Sequence, residues 1–143
     1  HSGHFKALIN ELALKKSFQP QVIFIDYLNI CASARFKGGN ISSYFYIKAI
    51  AEELRGLAVE HDVPIFSATQ TTRTGFVSTD IGLEDTSESF GLPATADFMF
   101  ALMSNEELES LGQMKVKQLK NRYNDPGMNR AFILGVDKSK MRL

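Results

Sequence analysis

The sequence predicts an α/β fold built on a mainly parallel sheet that ends in an antiparallel hairpin. Three observations predict it. Short continuous apolar runs recur at Val22-Ile23-Phe24-Ile25, Ile65-Phe66 and Phe98-Met99-Phe100-Ala101-Leu102-Met103, the pattern of strands buried on both faces. A helical repeat fills the interval between the first two, as a crossover between parallel strands requires. Near the end, Asn124-Asp125-Pro126-Gly127 is a strong turn signal between two further β-type segments.

The elements follow in order. Phe5, Leu8, Ile9 and Leu12 recur at helical spacing and predict an amphipathic helix, with Lys15 and Lys16 suiting its C-terminus and Pro20 stopping it. His1-Ser2-Gly3 reads as a purification-tag remnant and is set aside, leaving 4–143 as the domain. The first strand, Val22 to Tyr27, carries an acid, Asp26, at its C-terminal end. Open α/β sheets bind ligands at that edge, so Asp26 is a candidate holder of hydrated Mg²⁺ beside a nucleotide; the alternative is an acid that caps the next turn. A loop from Asn29 to Asn40 contains Arg35-Phe36-Lys37-Gly38-Gly39-Asn40. Cations flanking an aromatic suit a phosphate backbone and a base; a solvated surface loop is the alternative.

Ser42 or Ser43 caps a second helix whose apolar set is Ile47, Ile50, Ala51, Leu54, Leu57 and Ala58. Lys48, Glu52, Arg55 and Glu60 make its wet face, and Asp62 and Pro64 end it. The second strand, Pro64 to Gln70, finishes on polar Thr69 and Gln70 at the same edge as Asp26. Residues 71–85 form a long polar stretch containing Arg73; loops of such length in compact domains are often functional. Asp85 to Glu88 start a short helix that Gly91 and Pro93 close. Asp97 to Met103 is a third parallel strand. Glu106 to Leu111 is a surface helix capped by Ser104 or Asn105. Met114 to Arg122 and Ala131 to Val136 pair as the hairpin, and Lys140 to Leu143 reads as a strand starting. Lys120 and Arg122, two apart, present two cations together; they suit a transferring phosphoryl group or, alternatively, protect an exposed edge.

Composition excludes several classes. Lys+Arg and Asp+Glu are 16 each, so no overall field attracts a polyanion, and nucleic-acid contact must come from local clusters. The one cysteine, Cys31, excludes an internal disulfide and reads as a small apolar residue. No apolar run approaches the roughly 20 residues of a membrane span. His1, His4 and His61 are scattered, without metal-ligand spacing, and His61 reads as exposed. The sequence contains neither G-x-G-x-x-G nor the phosphate loop G-x-x-x-x-G-K-[ST].

Taken in order, several motifs resemble the DnaB-type hexameric replicative helicases, in particular those of T-even-type phages. Val22 to Asn29 resembles their Walker B strand. Ile47 to Leu57, Val63-Pro64-Ile65 and Ala68-Thr69-Gln70 resemble the helix, strand and sensor glutamine that follow. Asp85 to Asp97 resembles the stretch after the second DNA loop, and Lys120-Asn121-Arg122-Tyr123-Asn124 the arginine-finger hairpin. The resemblance implies a RecA-like three-layer ATPase domain, truncated before its first strand and phosphate loop. It implies an ATP-dependent helicase that forms a ring hexamer on single-stranded DNA, with Mg²⁺ and ATP as cofactors, primase and a loader as partners, and the host cytoplasm as location. Asp26 would hold Mg²⁺ and Gln70, beside Thr69, would sense the γ-phosphate. Lys120 and Arg122 would act in a neighbour's ATP site. Arg35, Lys37 and Arg73 would grip DNA. Without the phosphate loop this segment alone is expected to be inactive, and an uncovered apolar sheet edge is expected to promote association. A recombinase or clock-type RecA-like ATPase, or a non-enzymatic domain of the same fold, are the alternatives.

Overall fold

A computed structural model of the chain describes residues 1–36, 41–71, 82–83, 91–125 and 127–143. The chain divides into two compact units, residues 1–72 with 86–95, and residues 73–85 with 96–143.

The first unit is organised by its long helix. Helix α1 (Ser2–Lys16) is followed by strand β1 (Ile23–Ile25), a 3₁₀ turn (Leu28–Ile30), helix α2 (Ser43–His61), strand β2 (Ile65–Ser67) and helix α3 (Gly91–Thr95). α2 supplies most of the core, burying Ile47, Ala49, Ile50, Ala51, Leu54 and Leu57 against α1, the 3₁₀ turn, β2 and α3. Ala49 thus replaces Ala58, which is only half-buried, in the expected apolar set. Asp62, in the left-handed region at φ 52°, ends the helix as expected. Gly91 allows α3 to approach closely: a Cβ there would fall 2.7 Å from the Lys48 side chain.

Several expectations for this unit are corrected. α1 stops at Ser17, whose left-handed backbone (φ 50°) turns its N–H back to Leu12, three residues before Pro20. The helix buries no residue fully, so its apolar spacing does not mark a core face here. At its N-terminus His1 is the cap, and Ser2 Oγ donates to Glu53 at 2.8 Å. β1 and β2 are each three residues long and are not buried on both faces. Phe24 is 74% and Phe66 56% exposed, and the two rings stack at 5.3 Å on the bare face. Residues 91–95, Pro93 included, are themselves helical rather than closing an earlier helix, whose expected start at 85–88 lies outside the described residues. His61 is not an ordinary exposed residue: its Nε2 is buried without a hydrogen-bond partner among the described residues. Cys31 is half-buried, with Sγ 3.9 Å from the Tyr27 carbonyl, and burial pushes its thiol pKa up.

The second unit is a three-stranded antiparallel sheet in the order β3–β4–β5, formed by β3 (Phe98–Met103), β4 (Gln113–Asn121) and β5 (Ala131–Gly135), with helix α4 (Glu106–Ser110) between the first two. The expected parallel β3 is therefore corrected: it runs antiparallel to β4, from Phe98↔Asn121 to Met103↔Lys115, with a bulge between Met99 and Phe100. Connection length explains this, since a short helix and turn reverse the chain, whereas parallel neighbours need a long crossover. Asn105 is the cap of α4, accepting the Leu108 N–H at 2.8 Å. Gly112, at φ 61°, makes the turn into β4. The expected hairpin is present, with Gln113↔Gly135 to Lys117↔Ala131 paired. The C-terminal strand is not: Lys138–Lys140 is a 3₁₀ turn closed by an isolated bridge between Asp137 and Arg142.

Candidate functional site

β1 and β2 pair in parallel, with Ile23↔Ile65, Phe24↔Phe66 and Ile25↔Ser67, so the residues after each strand emerge at one edge. The two exits are stitched together. Ser67 Oγ donates to the Ile25 carbonyl at 2.7 Å, the Leu28 N–H donates to the Ala68 carbonyl at 3.0 Å, and Thr69 Oγ1 donates to Asn29 Oδ1 at 2.8 Å. The structure thus brings Asp26, Thr69 and Gln70 to the same rim. Asp26 follows directly on buried Ile25, and the Asp26–Tyr27 peptide is cis.

The Asp26 carboxylate is exposed, has no hydrogen bond or ion pair among the described residues, and lines an open cleft of about 520 Å³ with Phe24, Ile30 and Cys31. Gln70 is likewise exposed and unpartnered among the described residues. No group of three or more His, Cys, Asp or Glu that could hold a metal exists among the described residues. An exposed carboxylate at a rim suits Mg²⁺, which takes one or two carboxylates and fills its other positions with water and phosphate oxygens.

The loop after β1 turns back onto α2. Glu53 accepts Ser33 Oγ at 2.6 Å and the Ala34 N–H at 2.9 Å, and the Arg35 N–H at 3.2 Å. Burial raises the Glu53 pKa, but the bonds from Ser33, Ala34, Ser2 and Arg35 outweigh it and hold the carboxyl below its ordinary value. The Arg35 guanidinium reaches Glu52 at 2.5 Å and is about half exposed. Lys37 and Arg73 lie outside the described residues. Glu53 was missed in the sequence, although a signal existed: it stands three residues after Ile50 and four before Leu57, an acid inside the apolar stripe.

Lys120 and Arg122 belong to the second unit. β4 ends at Asn121, so Arg122 lies just beyond the strand and strict alternation does not place the two cations on one face. Lys120 is opposite Met99, beside the bulge. Arg122 is held twice by Asp97: its N–H donates to the carbonyl at 3.0 Å and its guanidinium to Oδ1 at 2.8 Å. Asn121 Oδ1 accepts the N–H groups of Tyr123 and Asn124, shaping the corner that carries Arg122. Tyr123 packs on Phe98 at 5.4 Å.

No protein-family model matches the chain. A DnaB-like replicative helicase of Enterobacteria phage T4 is 46% identical over 138 residues, covering 96% of this chain and 29% of that protein. Among solved structures, a DnaB-like replicative helicase, described with its interactions with primase, aligns with TM-score 0.79 and 22% identity over 96% of this chain and 34% of its own. A second solved structure, an ATPase domain, aligns with TM-score 0.68 and 25% identity over 84% of this chain and 44% of its own. The chain therefore spans less than a third of the curated relative it matches, and its fold is that of part of these proteins.

Proposed function

Since the chain is related along nearly its whole length to the DnaB-like replicative helicases, we propose that it is part of the ATPase domain of an ATP-dependent replicative DNA helicase. In this reading the parent protein moves on single-stranded DNA and opens duplex at a fork. The observation that carries the reading is the rim: Asp26 and Gln70 leave a parallel strand pair at one edge, both exposed and both without a partner among the described residues. Mg²⁺, when bound with ATP, supplies charge neutralisation at the phosphates; Asp26 is the group that would hold it through water. Gln70 orients toward the γ-phosphate, and the Thr69–Asn29 bond ties that position to the start of the loop after β1.

Lys120 and Arg122 serve a neighbouring subunit's nucleotide, neutralising charge on the transferring phosphoryl group. This requires an adjoining subunit; by likeness to the DnaB-type helicases the assembly is a ring hexamer, with primase and a loader as its partners. Arg35, with Lys37 and Arg73, contacts the DNA backbone. The chain contains no G-x-x-x-x-G-K-[ST], so these 143 residues alone are expected to bind ATP poorly and not to turn it over. By likeness to the phage helicase we place the parent protein in the host cytoplasm.

The test uses the full-length protein. Arg122→Ala is expected to lower kcat for ATP hydrolysis by about 10³-fold or more, with assembly intact by sedimentation. Mixing it with Asp26→Ala subunits should restore part of the activity, because one of the two orders of mixed interface combines an intact Asp26 with an intact Arg122. Failure of complementation in verified mixed rings would overturn the trans assignment. Strand exchange without unwinding of a forked duplex would favour a recombinase instead.

A further inference from the structure

We propose that Glu53 is the positioning residue of the loop after β1: it locks the Ser33–Phe36 turn onto α2 and so fixes where Arg35 can meet a nucleic-acid phosphate. The inference rests on the reading of that loop as a DNA-binding element and deepens it. Four consecutive backbone donors of the turn are satisfied, and all of them lead to α2. The Ser33 N–H donates to Tyr46 Oη at 3.1 Å and the Ala34 N–H to Glu53. The Arg35 and Phe36 N–H groups donate to Ser33 Oγ at 3.1 and 3.3 Å, while that same hydroxyl donates to Glu53. Ser33 is buried, so its hydroxyl and N–H depend on protein partners. A single carboxylate thus anchors most of this network.

The side chain that this turn carries outward is Arg35. Its guanidinium is parked on Glu52, the neighbour of the clamp, in a pair exposed enough for solvent to compete. A phosphate can replace Glu52 as the acceptor without moving the turn. The order is therefore fixed backbone, exchangeable guanidinium, which lowers the ordering cost of binding. The Ser2 hydroxyl also reaches Glu53, but on Oε2, away from the Ser33 bond on Oε1, so the clamp does not depend on it.

Electrostatics and positioning predict opposite signs, which makes the proposal testable. Removing an acid near a DNA-binding loop should tighten binding through charge alone. Positioning predicts weaker binding. In the full-length protein, Glu53→Ala is expected to weaken binding to fluorescein-labelled oligo(dT) several-fold, and Glu53→Gln, which keeps one acceptor oxygen, to recover most of it. Arg35→Ala should weaken binding and lower the slope of log K against log salt by about 0.7 per phosphate that is no longer neutralised. The Arg35→Ala/Glu53→Ala double variant should be no weaker than Arg35→Ala. Ser33→Ala provides a second break in the same chain of bonds if Glu53→Ala does not fold, and should weaken binding likewise. If Arg35→Ala weakens binding while folded Glu53→Ala and Ser33→Ala bind as tightly as the parent, positioning is overturned and the loop reading stands. If Arg35→Ala changes neither affinity nor slope, the loop reading falls first and the proposal with it.

Discussion

Ile50 is the most informative residue to remove. It is 1% exposed, the largest fully enclosed side chain among the described residues, and lies at the middle of α2. Ile50→Ala deletes three carbons. At about 0.8 kcal/mol for each buried methylene-sized group, the transfer loss is roughly 2.4 kcal/mol. α2 is held on several sides by α1, β2 and α3, so collapse around the gap is restricted and a cavity contribution adds to it. The expected total is about 3–4 kcal/mol, a large fraction of the roughly 5–15 kcal/mol that stabilises a domain. Ile50→Val should cost only about 1 kcal/mol. Leu14→Ala, at a side chain 86% exposed, should stay within about 0.5 kcal/mol. The assay is urea unfolding followed by circular dichroism at a helix-sensitive wavelength. The long helices α1 and α2 both belong to the first unit, so the signal reports chiefly on that unit. If Ile50→Ala and Leu14→Ala unfold at the same urea concentration, α2 is not packed as described and the placement of the rim falls with it.

Acid should loosen the same unit through Glu53. Its folded-state pKa lies below its ordinary value of 4.5, so its contribution is present above that value and is lost as pH falls through the lower, folded-state pKa. Glu53→Ala should therefore flatten the acid limb of a stability-against-pH curve; an unchanged slope would contradict the clamp. The bare face of the β1–β2 pair gives a further expectation. Phe24→Ser should raise the monomer fraction of the 143-residue chain in sedimentation velocity, because it removes a ring that is mostly in solvent; an unchanged distribution would exclude that face as the source of association.

The readable parts of this sequence were those fixed by local spacing. α2 was legible because one stripe of apolar residues at helical period is enough to specify both the helix and its buried side, and five of the six named positions are buried. The hairpin was legible because Asn124 to Gly127 carries its own turn chemistry, seen in the Gly127 N–H bonded to Asp125 Oδ1. The rim was legible because an acid ending one strand and an amide following another share an edge whenever the strands are parallel. Properties that depend on distant chain were not. Phe98 to Met103 announces a strand but not its direction, which is set by its pairing with β4, from Phe100↔Gln118 to Met103↔Lys115. His61 gave no sign of its enclosed nitrogen, since that depends on what lies over the helix end.

The bare phenylalanines make the same point about burial. A run such as Val22 to Ile25 records apolar side chains on both faces, and in this chain only one face is met: Ile25 is buried while Phe24 and Phe66 stack in solvent. Exposed aromatic area of this kind is costly unless another layer covers it. The rim needs no such cover: Asp26 and Gln70 are polar where they emerge, and their position follows from the pairing of β1 with β2 alone.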